Sequence, residues 1–191
     1  VTRDWLAARG ADLEELGLAR WHSDEDAPGL RHHLDACALA PQVALPHSPA
    51  HVRAVDDLEP TPIDIAYIGA CTGAKLDDLR AAARVLAGYR IAPGVKLLVA
   101  PASVADREAA EREGLWRALL DAGATVLPSA CGACAGYGGA IDDGATVISS
   151  TARNFRGRMG AADAMVYLGS PYTVAASALR GRIADAREFL K

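Results

Sequence analysis

The sequence predicts an α/β domain with a mostly parallel sheet and helices on both faces, preceded by an irregular connector arm. From Ile63 onward, short apolar runs alternate with amphipathic stretches of helical length, which is typical of parallel strands joined by helices. The chain has 191 residues, of which 51% are hydrophobic and only 5% aromatic, so small aliphatic side chains can form a sizeable, closely packed core. We therefore expect a connector arm over residues 1–60 and an α/β domain over residues 61–191.

The predicted arm lacks the alternation of strand and helix. Short helices are expected near residues 3–9 and 12–18, and the segment from Pro41 to Pro62 is expected to be extended because its prolines stop helices. We therefore describe the arm as helical and extended, without a sheet of its own.

Five apolar runs of the domain are predicted as strands, and the stretches between them as helices. The strand segments are IDIAYIGAC (63–71), VKLLVAP (95–101), ATVLPSA (124–130), ATVISS (145–150) and AMVYLGS (164–170). The helical segments are KLDDLRAAARVLAG (75–88), ADREAAEREGLWRALLDAG (105–123, as one helix or two) and PYTVAASALRG (171–181, with proline in its first turn).

Chemically versatile residues follow the ends of three of these strands. Cys71 ends the first strand, Cys131 and Cys134 follow the third, and the arginine-rich loop TARNFRGRMG (151–160) follows the fourth. Parallel α/β sheets bind ligands beyond the carboxyl ends of their strands. We therefore expect these groups to meet at one edge of the sheet.

The three cysteines favour a metal or cluster site, although their spacing leaves alternatives open. Three thiolates from two loops suit a cubane iron–sulfur cluster in which one iron keeps an open position and acts as a Lewis acid. A CxxC pair is also compatible with a dithiol redox site, with half of a zinc site completed by Cys37, or with packing of two small residues. No export signal supports a disulfide framework, so we expect a reducing, cytoplasmic setting.

Arg153 and Arg158 are candidate anion-binding residues. Their guanidinium groups can bind carboxylates through two parallel hydrogen bonds, and the glycine between them allows a curved loop to aim both at one ligand. The alternative is a solvated basic loop, or structural pairing with Asp142, Asp143 or Asp163.

Composition argues against several other functions. The formal net charge is −4 and no basic stripe dominates, so nucleic-acid binding is not expected. No apolar run approaches the roughly 20 residues of a membrane span. The segment GACTGAK lacks the spacing of a nucleotide-binding P-loop.

Four motifs, in order, resemble the aconitase superfamily, and within it the large subunits of 3-isopropylmalate dehydratase and homoaconitase. They are IGACTGAKLDDLRAAARVLAG, ACGACAG, STARNFRGRMG and VYLGSPYTVAASALRGRIADAREFL. The resemblance implies the fold of that superfamily's iron–sulfur domain. It also implies that Cys71, Cys131 and Cys134 hold a [4Fe–4S] cluster, and that Arg153 and Arg158 hold substrate carboxylates.

The implied activity is that of a hydro-lyase, which removes and re-adds water on an isopropylmalate-like hydroxy di- or tricarboxylate. In the family, a serine on a swivelling domain or small subunit takes the proton, and upstream domains supply further active-site groups. The resemblance therefore implies no catalytic base in this chain, and activity only together with partner chains or segments that provide these parts.

Four positions depart from the family pattern as we read it. Gly73 and Ala152 stand where asparagines are usual, Lys75 replaces an arginine and Ala133 replaces a proline. The loss of both asparagines implies altered surroundings for the cluster, and hence either a different substrate or an altered cluster. It also leaves open a second reading, that of a non-catalytic iron–sulfur paralogue with a regulatory or structural role.

Overall fold

The computed structural model describes residues 2–17, 20, 23–139 and 141–190, which fall into two units, 1–38 and 39–191. The first unit contains helix α1 (Thr2–Ala7) and a 3-10 helix at Ala36–Ala38. The helix predicted over residues 12–18 is wrong for residues 13–17, which form turns, and Leu18 lies outside the described residues. Gly17 adopts a left-handed φ of 56°, which an α-helix does not accommodate.

The second unit is built on a mixed, mostly parallel sheet, as predicted. Its strands are β1 (Gln42–Ala44), β2 (Val52–Ala54), β3 (Ile65–Gly69), β4 (Lys96–Ala100), β5 (Thr125–Val126), β6 (Thr146–Ser149) and β7 (Met165–Leu168). Within the described residues they lie in the order β2-β1-β7-β6-β3-β4-β5. Strands β3 to β7 pair in parallel, whereas β1 is antiparallel to β2 and β7. Since β1 and β2 come from the predicted arm, part of that arm joins the sheet; a domain division at residues 60 and 61 stays a prediction.

The α-helices of this unit are α2 (Leu76–Leu86), α3 (Val104–Arg112), α4 (Leu115–Ala122) and α5 (Pro171–Arg180). The segment predicted as one helix or two forms two, because Gly114 takes a left-handed φ of 71° between α3 and α4. Helix α5 begins with a serine cap, in which Ser170 accepts a hydrogen bond from the Thr173 N–H, followed by proline in the first turn. No helix in the described ranges is long and apolar enough to cross a membrane.

The two faces of the sheet are covered differently. Aliphatic residues of α2, α4 and α5, such as Leu79, Leu119 and Val174, pack on one face. On the other face, Tyr67 and its neighbours pack against a 3-10 helix at Gly132–Ala135 and the loops around it. The α/β fold is therefore as predicted, but the α-helices cover one face, and short 3-10 helices at Gly132–Ala135 and Tyr137–Gly139 lie among the loops of the other.

The topology creates a crevice beside β3. The chain passes from β3 to β4 and β5 in one direction, then returns to place β6 on the other side of β3. The loops that leave β3 and β6 therefore diverge at neighbouring strand ends, which is where parallel α/β sheets form ligand sites.

Candidate functional site

A cavity of about 120 Å³ lies at these strand ends. Its walls come from the loop after β3, the loop after β5 and the loop after β6. The lining residues are Cys71, Thr72, Cys134, Ala152, Arg153 and Arg158. The structure thus brings together two of the three predicted cysteine ligands and both predicted arginines.

Cys131 does not line the cavity, but it directly precedes the 3-10 helix that carries Cys134. All four cysteines lie in the described ranges and have free thiols, so Cys131 and Cys134 are not joined by a disulfide bond. Cys37, considered above as a zinc ligand, is an exposed residue of the first unit.

The thiols are not gathered as tightly as one zinc ion requires. In residues 2–17, 20, 23–139 and 141–190, no three His, Cys, Asp or Glu side chains come close enough to hold a single metal ion. A zinc ion sits about 2.3 Å from each sulfur and so draws its ligands together.

The loops after β3 and β6 are interlocked through Ser150. Its hydroxyl donates a hydrogen bond to the Gly73 carbonyl oxygen at 2.7 Å and accepts one from the Gly69 N–H at 3.1 Å. A Cβ atom at position 73 would lie 2.1 Å from the Ser150 carbonyl oxygen. The space that a side chain would need at position 73 is therefore filled by backbone from the opposite loop.

A pair of glycines brings the Cys134 loop against the Arg158 loop. Gly136 and Gly160 both have left-handed φ angles, and a Cβ on Gly136 would lie 2.8 Å from the Gly160 Cα. The two backbones consequently touch, and the Arg158 Nη2 atom comes within 3.7 Å of the Cys134 sulfur. This contact places the positively charged Arg158 guanidinium group directly beside the Cys134 sulfur.

Arg158 is held partly inside the protein. Its guanidinium group lies over the Phe155 ring, with 5.8 Å from Cζ to the ring centroid. Its Nε atom is buried and has no hydrogen-bond partner among the described residues. Arg158 therefore keeps unused donor capacity next to the cavity.

Arg153 is exposed at the mouth of the cavity and makes no ion pair with any described residue. The structural pairing considered as an alternative is found instead for Arg156, whose Nη1 lies 3.8 Å from Asp163. Asp142 pairs with Lys96 at 3.0 Å. Arg153 and Arg158, the two arginines predicted to bind a ligand, therefore form no ion pair with the neighbouring described aspartates.

Sequence reasoning missed Tyr67, which points its hydroxyl toward the cysteines. Burial raises the pKa of Tyr67, as do the thiolates of Cys134, Cys131 and Cys71, while the Cys134 N–H acts in the opposite direction; the resulting pKa is about 12. The phenol is therefore protonated at neutral pH. A polar-ended aromatic residue four positions before Cys71 in an otherwise aliphatic strand was the available signal.

The first backbone donors of α2 are bound by carboxylates. The Lys75 N–H donates to the Asp78 carboxylate and the Leu76 N–H donates to Asp106, both at 3.0 Å. Carboxylates of the protein itself already satisfy these donors.

The polar atoms around the cysteines fit an iron–sulfur group. The Tyr67 hydroxyl, the Ser129 hydroxyl and the Arg158 Nε are buried without a partner among the described residues. They come from β3, from the segment just before Cys131 and from the arginine loop. Free thiols as ligands, surrounded by O–H and N–H donors that seek acceptors, match the needs of a sulfur-rich anionic cluster.

The fold is an α/β domain in which cysteine and arginine side chains line one cavity at the carboxyl ends of the parallel strands. The model of the Aconitase family (aconitate hydratase) matches residues 53–181, which include all of these site residues. The chain belongs to the aconitase family.

Relatives with assigned names agree with this membership. The chain is 45% identical over 184 residues to the 3-isopropylmalate dehydratase large subunit of Mycolicibacterium smegmatis, covering 93% of this chain and 44% of that protein. It is 43% identical over 181 residues to the mitochondrial homoaconitase of Candida albicans, covering 93% of this chain and 26% of that protein. It is 42% identical over 183 residues to the homoaconitase large subunit of Thermus thermophilus, covering 94% and 44%. The chain therefore spans less than half the length of these relatives.

Proposed function

We propose that this chain is the cluster-bearing part of an aconitase-type hydro-lyase that dehydrates and rehydrates a hydroxy di- or tricarboxylate resembling isopropylmalate. One observation carries the proposal: a single cavity joins Cys71 and Cys134 to Arg153 and Arg158. Metal-ligating sulfur and carboxylate-binding guanidinium groups are the two components that such a reaction needs in one place.

Cys71, Cys131 and Cys134 would hold a [4Fe–4S] cluster, the group that enzymes of this family generally carry. Three protein ligands leave one iron available as a Lewis acid, which makes a hydroxyl a better leaving group. Support from this chain comes from the three free thiols and from the buried donors beside them.

Arg153 and Arg158 would hold the substrate carboxylates. Arg158 is fixed by the Phe155 ring and retains free donors, so it can bind an anion without first breaking an ion pair. Arg153 is exposed, so it can close on a substrate from the solvent side. Two cations at one cavity would select polycarboxylates over neutral hydroxy compounds.

The proton-transfer group and the remaining walls of the active site would come from partner chains or from further segments of a longer protein. The relatives are named as large subunits and extend well beyond the matched region, which supports a small-subunit partner that brings the catalytic serine. The free thiols further support a reducing setting such as the cytoplasm.

A non-catalytic iron–sulfur role remains the second candidate. The observation that favours it is the closure of position 73 by Ser150, because the asparagine expected there from family resemblance has no room. A cluster could then persist while substrate binding is lost.

An assay of arginine variants distinguishes the catalytic from the non-catalytic candidate function. The chain is purified anaerobically with its genomic-neighbour subunits, and iron content, sulfide content and hydration of the unsaturated acid are measured together. Arg153→Ala is expected to lower turnover by about 100-fold while leaving iron content unchanged. The matched control, Arg156→Ala in the same loop, is expected to change neither, since Arg156 is exposed and pairs with Asp163.

Full turnover by Arg153→Ala would contradict the role of the arginines. A wild-type chain that holds iron and sulfide yet neither binds nor converts any hydroxy polycarboxylate would favour the non-catalytic candidate.

A further inference from the structure

A hydroxyl group lies buried beneath the cysteine site. Tyr67 is fully buried in β3, in the same apolar cluster against which Cys134 packs. It belongs to the loop-covered face of the sheet, away from the α-helices. Its ring therefore packs in the core of this face together with residues of the cysteine loop.

Gly69 makes this orientation possible. Residues 67 and 69 point to the same face of the strand. A Cβ on Gly69 would lie 2.3 Å from the Cζ atom and 2.5 Å from the hydroxyl oxygen of Tyr67. The ring thus lies along the strand over bare backbone, toward the carboxyl edge and Cys71.

The Cys134 N–H faces the Tyr67 oxygen, but no described residue accepts a hydrogen bond from the Tyr67 hydroxyl. A buried donor without an acceptor is destabilising, and a phenylalanine would fill the same space without that cost. The presence of tyrosine rather than phenylalanine at position 67 is explained if a bound group supplies the acceptor for its hydroxyl.

We propose that the Tyr67 hydroxyl donates a hydrogen bond to a sulfur atom of the cluster bound by Cys71, Cys131 and Cys134, and so acts as a positioning residue for it. This inference rests on the proposed function. Hydrogen bonds to sulfur help set the reduction potential and stability of iron–sulfur clusters. The hydroxyl would therefore slow the release of iron from the cluster and raise the reduction potential of the cluster.

Tyr67→Phe tests this role, with Tyr167→Phe as the matched control. Tyr167 lies in β7 of the same sheet but packs on the helix-covered face. The full chain is reconstituted anaerobically with iron and sulfide. Unfolding in urea is measured before reconstitution, and release of iron to a chelator and the reduction potential are measured after it.

We expect Tyr67→Phe to leave the cluster-free chain at least as stable as wild type, because it removes an unpaired polar group. In the reconstituted chain it should release iron about three- to tenfold faster than wild type, the effect of one lost hydrogen bond. Its potential should become more negative, since a donor stabilises the more negatively charged reduced state. Tyr167→Phe should change neither iron release nor potential.

Each other outcome overturns the inference. If wild type and Tyr67→Phe hold clusters with equal release rates and potentials, the inference fails while the proposed function stands. If Tyr67→Phe weakens the cluster-free chain as much as the loaded one, the hydroxyl has only a structural role. If the wild-type chain binds no iron and sulfide, the proposed function fails, and the inference fails with it.

Discussion

On one face of the sheet, α2, α4 and α5 cover the strands with aliphatic side chains. On the other face, glycine-rich loops cover them, and several buried polar atoms there have no partner in the part of the chain that the structure describes. The helix-covered face buries residues such as Leu79 and Leu86 completely. The loop-covered face holds Tyr67 and Cys134 among its apolar residues. The first face stabilises the fold, whereas the second leaves buried polar groups unpaired beside the candidate site, which costs local stability.

The largest stability effect is expected on the helix-covered face. Leu79→Ala should lower the free energy of unfolding by about 2–5 kcal/mol, because Leu79 is fully buried and its removal leaves a cavity. Urea denaturation of the cluster-free chain measures this. Leu120→Ala, on α4 but 53% exposed, is the control and should cost less than about 1 kcal/mol. Equal costs for the two variants would contradict the assignment of this face as the core.

A smaller effect is expected where the loops after β3 and β6 interlock. Gly73→Ala should cost about 1–3 kcal/mol, because the new Cβ meets the Ser150 carbonyl oxygen. Ser150→Gly should not restore stability, because the obstructing atom belongs to the backbone. Urea denaturation of both single variants and the double variant gives the coupling free energy between positions 73 and 150. A Gly73→Ala chain as stable as wild type would show that position 73 is open, and would remove the support for the non-catalytic candidate.

The smallest effect on the free energy of unfolding, relative to a matched control, is expected at the glycine contact between the Cys134 and Arg158 loops. Gly136→Ala and Gly94→Ala both place a side chain at a left-handed φ, of 78° and 86°, but only Gly136 has atoms within 4 Å of the new Cβ. We expect Gly94→Ala to cost about 1 kcal/mol and Gly136→Ala about 1 kcal/mol more. Only Gly136→Ala should also reduce the iron retained after reconstitution. If the two variants behave alike, the loop contact does not hold the site together.

The strands and helices that follow local patterns could be predicted from sequence, whereas those that depend on distant pairing could not. β3, β4 and α2 have apolar runs or amphipathic repeats that stand out in isolation. β1 and β2 have three residues each, between prolines, and β1 joins the sheet by pairing with β7, more than 100 residues away. The position of β1 and β2 in the sheet depends on contacts between distant segments of the chain, which local residue propensities do not predict.

The same distinction applies to the site. Cys71, Arg153 and Arg158 could be placed at one edge because they follow strand ends, and strand ends of a parallel sheet share an edge. Tyr67 is recognisable in the sequence only as an aromatic residue in an aliphatic strand. Its position beside the cysteine loop depends on which face of β3 that loop covers, and local sequence does not determine this. The exclusion of a side chain at Gly73 depends on a carbonyl 77 residues further along the chain.

The most direct test of the account is the iron and sulfide content of the chain after anaerobic reconstitution, for wild type and for Cys71→Ser, Cys131→Ser and Cys134→Ser. The account predicts about four irons and four sulfides per wild-type chain, and loss of stable binding in each of the three variants. Cys37→Ser, which changes an exposed cysteine of the other unit, should keep the full content. The account would be contradicted if the wild-type chain bound no sulfide. It would also be contradicted if any of the three site variants kept the iron and sulfide content of the wild type.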